Sequence, residues 1–307
     1  MLQIALLFMG FILMLLQHFL QLFPSSYQLL LFLAGIIVLG IPHGAADLLV
    51  AMQNASPGKK NFSKLSFFKT YIGRLVLFAA ALWVFPIFGI MLFIVFAAYH
   101  FGETDLHHCK TESLPGKMLV TSYGLVILSV ILLVHLDEVK PIIQNLQPGL
   151  ESEVFFNFLN SKRTFLISLS GVIFILSFVI YLYYNKIALK QIDIWYLVRF
   201  GLILLIIFNL PLIMGFSFYF IVWHSVLSMA NIFQYLLRKN LVPFFSILKQ
   251  IGLYSLLAMG GILIVGLTGI MFLNSQTVVG YVFMGLAVLT APHMQVMHDM
   301  YNKMRAN

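Results

Sequence analysis

Charge is what this sequence has least of. Of its 307 residues only 18 are Lys or Arg and 10 are Asp or Glu, 9% in all, while 61% are hydrophobic and the mean hydropathy is +0.99. A soluble domain carries roughly 25% charged residues, so this chain cannot cover a water-facing globular surface. Cysteine is nearly missing too. Cys109 stands alone, which excludes an internal disulfide. There is no low-complexity tract and no polar stretch long enough to fold by itself, so residues 1–307 are expected to form one integral-membrane helical domain. The first twenty residues lack a basic n-region and an A-x-A site, and they are expected to stay as a first helix rather than be cleaved as a signal. The net charge of +8 does not call for nucleic acid, because basic loops on the cytoplasmic side of a membrane account for it.

What is present is a series of long apolar runs. Ten are of spanning length, at approximately 2–21, 29–51, 70–85, 87–104, 118–136, 164–184, 194–210, 211–233, 250–272 and 278–298. A bilayer core needs about 20 helical residues, with a range of about 17–25, so most qualify and the third is short. Phe85-Pro86 and Asn209-Leu210-Pro211 separate neighbouring runs and predict tight hairpins, since proline cannot continue a helix ladder. With the N-terminus inside, the outer side holds only Lys140, Lys162 and Arg163, and the other fifteen basic residues fall inside. That bias fits the positive-inside rule. The expectation is an all-α polytopic protein of about ten transmembrane helices, both termini cytoplasmic, in the inner (plasma) membrane. Within the long outer connection, 137–163, the stretch Val154–Leu159 is expected to lie in the interface as a short amphipathic helix.

Against this apolar background four histidines stand out. They are His43 in Pro42-His43-Gly44-Ala45-Ala46-Asp47, His100 in His100-Phe101-Gly102-Glu103-Thr104-Asp105, His224 in Trp223-His224-Ser225, and His293 in Ala291-Pro292-His293-Met294. Each lies about 13 to 15 residues from the outer end of a helix running outside to inside, roughly 20 Å deep at 1.5 Å per residue. A single histidine in a membrane helix is most often a hydrogen-bonded packing residue. Four at one depth, three of them within two residues of Pro or Gly, can share a centre, and intramembrane ionisable groups are functional candidates. Four neutral imidazoles suit a divalent transition metal: catalytic zinc usually takes three protein ligands and keeps one open position, and octahedral iron with four histidines keeps two. Asp47, Glu103, Asp105 and Ser225 are candidates to orient the ligands, Asp47 because it shares a helix face with His43. For Glu103 and Asp105 an exposed loop start is the alternative. His298 is expected at the inner surface or, as the alternative, as a partner supporting the ligands, His107 and His108 in a solvated loop, and His18 and His135 at outer helix ends.

These four motifs, in this order from the second helix to the last, resemble the Brp/Blh family of membrane carotenoid-cleaving dioxygenases. The resemblance implies a non-haem iron(II) enzyme with His43, His100, His224 and His293 as ligands of Fe(2+). It implies cleavage of β-carotene by dioxygen at the central 15,15′ double bond into two retinals, which a rhodopsin downstream could use. Some members carry a second histidine one turn after the position of His224, where this chain has Ser228. A polyene that lives in the lipid bilayer is reached without extraction into water, and Phe96, Tyr99, Phe101, Phe220, Trp223 and Phe283 are candidate walls of its tunnel. Two rival readings are a metal or proton transporter and a non-catalytic carotenoid-binding protein. Against the first, Asp47 is the only acid expected well inside a span, Glu103 falling in the last turn of its own. A covalent retinal protein is disfavoured because every lysine falls at a helix end or in a loop.

Overall fold

The structure, a computed structural model, describes residues 1–55, 62–146, 150–187, 193–238, 243–270 and 278–306. Among the described residues there is no strand. The helices are α1 (Leu2–Leu20), α2 (Ser25–Asn54), α3 (Lys64–Val84), α4 (Pro86–Asp105), α5 (Leu114–Val134), α6 (Leu136–Leu146), α7 (Leu150–Asn185), α8 (Ile194–Asn209), α9 (Leu212–Leu237), α10 (Phe244–Ile270) and α11 (Val278–Ala306). Seven of them, α1 to α5, α7 and α9, are long and apolar enough to cross a membrane. The surface agrees. Leu77, Trp83 and Tyr183 are 72, 82 and 87% exposed, whereas His43, His100, Glu103, Asp105 and His224 are buried. Apolar outside and polar inside is the arrangement that lipid selects.

The proline breaks fall where the sequence predicts. Helix α3 ends at Val84, and Pro86 opens α4 at a position where its missing N–H costs nothing. Helix α8 ends at Asn209 and α9 starts after Pro211. Two expectations need correction. Helix α3 begins at Lys64, so the run at 70–85 is not short; Ser63 caps it by accepting from the Ser66 N–H. Residues Val154–Leu159 are not a separate interfacial helix but part of α7, which runs unbroken to Asn185. Nothing between 151 and 163 is Pro or Gly, so polar residues there extend the helix instead of ending it.

The tightest helix pair positions the site. A Cβ on Gly102 would sit 1.7 Å from the Val120 carbonyl oxygen, and one on Gly124 would sit 2.0 Å from that of Ala98. Only glycine lets the α4 and α5 backbones approach this closely. The contact holds α4 fixed beside His100. Helix α11 closes over α4 from another side, through polar bonds taken up below.

Candidate metal centre

Two of the four histidines sit beside π-helical turns, in which the ladder runs to the fifth residue back. In α2 residues Ile36–Gly40 are π-helical, and the Ile41 N–H reaches the Ile36 carbonyl. Pro42 follows, with no N–H to give, and His43 comes next. In α9 the π-helical stretch is Phe218–Ser225, which contains His224. The Ser225 hydroxyl donates to the Phe220 carbonyl at 2.8 Å, so it orients no imidazole. His100 lies in regular α4, and His293 follows Pro292 inside α11. Such π turns are rare and recur at functional sites.

The four imidazoles form a ring. Taken in the order His43, His293, His100, His224, neighbouring ring centroids are 4.4, 4.9, 4.7 and, back to His43, 5.6 Å apart. His43 and His100 face each other across the ring at 6.2 Å, nearly parallel at 16°. The Nε2 atoms point inward: those of His43 and His293 are 2.8 Å apart, and those of His100 and His224 are 3.1 Å apart. Donor atoms of His43, His100 and His224 all lie within 4.8 Å of one another, a set that can hold a metal ion. His293 falls outside that tight three-membered set although it touches His43, so it sits at the ring's edge. All four are buried. Two neutral imidazoles cannot aim lone pairs at each other at 2.8 Å without a proton or a cation between them. A divalent metal therefore suits this donor set.

The carboxylates act differently from the expectation. Asp47 does not turn back to His43. Its Oδ1 lies 2.8 Å from His293 Nδ1, and its Oδ2 accepts from the Tyr71 hydroxyl at 2.9 Å. The carboxylate only accepts, so His293 carries its proton on Nδ1 and presents the Nε2 lone pair to the ring. Among the described residues, the Nδ1 atoms of His43, His100 and His224 have no hydrogen-bond partner. Asp105 is buried and is not a loop start, but it touches no imidazole. Its carboxylate accepts from Tyr123 at 3.0 Å, from Tyr219 at 3.2 Å and from the Trp223 indole at 3.0 and 3.1 Å. Glu103 is fully buried as well. Its Oε1 gathers His298 Nδ1 at 2.8 Å, Arg305 at 3.0 Å and Tyr99 at 3.2 Å, with the Thr111 hydroxyl at 3.5 Å. Three acids are thus buried where one was expected well inside a span.

His298 is accordingly half-buried and held by partners rather than free at the inner surface. Asn302 turns its carbonyl to Arg305, a pure donor, at 2.6 Å, and its amide to His298 Nε2 at 2.9 Å. His298 Nε2 thus faces the amide and its Nδ1 faces Glu103. His107 is half-buried, not solvated: its Nδ1 meets the Thr104 carbonyl at 3.1 Å, and its ring lies 3.7 Å from that of His108. Burial and the neighbouring His108 lower its pKa to about 4. His18 and His135 line a separate polar cavity of about 600 Å³ that shares no residue with the ring.

Among the aromatic candidates, Phe101 and Phe220 flank His224, at 4.8 and 6.1 Å between centroids. Phe220 stacks on Phe216 at 5.3 Å, Phe216 meets Phe283 at 4.8 Å, and Phe283 stacks on Phe32 at 5.3 Å. Phe101, Phe220 and Phe283 thus belong to one file of rings leading away from His224. Phe96 packs against Phe78 elsewhere. Tyr99 donates to Glu103 and the Trp223 indole to Asp105. The sequence reading missed Tyr71, Tyr123, Tyr219 and Arg305. Tyrosines scattered along apolar helices carry no spacing signal, and Arg305 reads as an ordinary basic end of the last helix.

No curated protein and no solved structure matches the chain. A family match does extend over residues 34–301, which takes in all four histidines and both π turns, and the family is described as Beta-carotene 15,15'-dioxygenase. With that match over most of its length, and with the helical, lipid-facing architecture around the imidazole ring, the chain belongs to the beta-carotene 15,15'-dioxygenase family.

Proposed function

We propose that this protein is a non-haem iron(II) dioxygenase that cleaves β-carotene at the central 15,15′ double bond into two molecules of all-trans-retinal. The observation that carries the reading is the buried ring of four imidazoles, His43, His100, His224 and His293, in a chain of this family. Four imidazoles would leave six-coordinate iron two open positions and tetrahedral zinc none, which favours iron for a centre that uses dioxygen.

Iron(II) held there would supply dioxygen activation. The chain's own residues do the rest. Asp47 and Tyr71 fix the tautomer of His293. Phe101 and Phe220 shield His224 from water and offer an apolar approach, and the ring file through Phe216 to Phe283 extends it. A hydrocarbon substrate has no polar group to recognise, so selectivity for the central bond rests on shape. We further propose ten crossings with both termini on the cytoplasmic side of the inner membrane, from the fifteen-to-three bias of basic residues.

The test is expression in cells that accumulate β-carotene. Loss of orange colour with retinal appearing in the extract is the expected outcome. Retained colour beside folded, iron-loaded protein would overturn the proposal.

A further inference from the structure

The Asp105 carboxylate is more heavily engaged than its place at the end of α4 requires. It is 3% exposed and accepts from three side chains that are themselves buried: Tyr123 of α5, and Tyr219 and Trp223 of α9. Two of the three donors therefore come from one π-helical stretch, Phe218–Ser225. The residue following Trp223 in that stretch is His224, whose Nε2 faces that of His100, five residues before Asp105 on α4. The Arg199 guanidinium closes the cluster. It donates to the Asp105 carbonyl at 3.5 Å and to Gln3 at 2.7 Å, and it lies over the Trp223 ring at 5.9 Å.

We propose that Asp105 is a positioning residue that sets His224 against His100 by holding the Trp223 indole and the Tyr219 hydroxyl. Tyr219 and Trp223 are four residues apart and share a face of the stretch, so their two bonds to one carboxylate fix its rotation about its own axis. That rotation places His224. An imidazole nitrogen projects well beyond the helix backbone radius of 2.3 Å, so a 10° turn would move it by about 1 Å, while a metal site tolerates about 0.5 Å. Asp47 performs the matching task for the other pair by direct contact, since it joins the helix of His43 to His293. Each aspartate follows its histidine by four or five residues and reaches across to the partner helix. The inference rests on the proposed metal centre for its chemistry but not for its geometry.

The test compares Trp223→Phe, Asp105→Asn and Tyr123→Phe, each purified as the full chain. Trp223→Phe keeps an aromatic ring but loses the pyrrole part of the indole together with its N–H donor. Tyr123→Phe removes one donor to Asp105 from α5 and serves as the structural control. Backbone hydrogen exchange of residues 218–226 in the metal-free protein is expected to accelerate in Trp223→Phe and stay unchanged in Tyr123→Phe. Affinity for cobalt(II), used as a visible probe, is expected to fall about tenfold in Trp223→Phe, with an altered absorption band. Asp105→Asn, which keeps one acceptor oxygen, falls between wild type and Trp223→Phe. Wild-type exchange and cobalt affinity in Trp223→Phe, or equal changes in Tyr123→Phe, would overturn the proposal. Wild-type protein that takes up no cobalt would instead count against the metal reading, and the exchange contrast would still decide the role of Asp105.

Discussion

Replacing Asp47 separates orientation of a ligand from simple packing. The carboxylate satisfies two groups, His293 Nδ1–H at 2.8 Å and the Tyr71 hydroxyl at 2.9 Å, and is itself buried. Asp47→Ala strands both donors. An unsatisfied buried donor costs about 1–3 kcal/mol, so the metal-free protein should lose roughly 2–6 kcal/mol of stability. His293 would also be free to place its proton on Nε2, where it blocks the ring. Loss of such a supporting partner typically lowers metal affinity about 10–100-fold, or about 1.4–2.7 kcal/mol. Asp47→Asn keeps an acceptor for His293 but gives up the charge, and a charge-assisted bond is roughly twice as strong as a neutral one. Its affinity loss should stay under about tenfold. Tyr71→Phe removes only a donor to the carboxylate and should cost least. Competition titrations of iron(II) against a chelator, on protein purified in detergent, would rank the four proteins, and retinal yield should follow the same order. A folded Asp47→Ala protein with wild-type affinity would refute the reasoning, as would an Asn variant weaker than the Ala variant.

Alanine at His43, His100, His224 or His293 should abolish iron binding and cleavage together; wild-type iron content in any one variant would remove that residue from the set. Arg305→Ala should destabilise the protein by about 3 kcal/mol or more, because it strands the buried Glu103 carboxylate. Adding Glu103→Gln should recover most of that in thermal melts; a double variant no more stable than Arg305→Ala would contradict the pairing. His107 bears on acid stability. Its folded pKa of about 4 lies below the ordinary 6.5, so the unfolded chain binds the extra proton as pH falls through 6.5. Stability is full above that value and falls by up to about 1.4 kcal/mol per pH unit toward pH 4. His107→Asn should flatten the melting temperature over that window, and an unchanged profile would count against the burial of the neutral ring.

The helices were legible because lipid writes them plainly: long apolar runs, proline at Phe85-Pro86 and Leu210-Pro211, and basic residues between them. The four histidines were legible for the related reason that an imidazole in such a run has no bland solvent-facing use. What surrounds them was not. Asp47 shares a face with His43, and helix spacing alone pairs them, yet the carboxylate crosses to His293 because α11 packs against α2. No periodicity encodes which helices are neighbours. Glu103 and Asp105 lie at a helix end, where acids are usually wet. Only the tertiary arrival of Arg305 on one and of three aromatic donors on the other explains their burial. The acidic partner of His298 was illegible for the same reason, since Glu103 reaches it from α4.

The two π turns show how differently local and distant causes can shape one site. In α2 the cause is written in the chain: Pro42 has no N–H, so the regular ladder cannot run through it, and the extra residue in Ile36–Gly40 takes up the mismatch immediately before His43. In α9 no proline or glycine lies between Phe218 and Ser225, and nothing local demands a wider turn. A π turn there forfeits ideal ladder geometry and must be held by side-chain bonds. The Ser225 hydroxyl offers a partner to the Phe220 carbonyl, and the bonds from Tyr219 and Trp223 to Asp105 hold the face. It follows that the α2 turn should survive changes to its neighbours, whereas the α9 turn should relax toward ordinary helix once Asp105 is lost. His224 would then rotate out of the ring while His43 stayed in place.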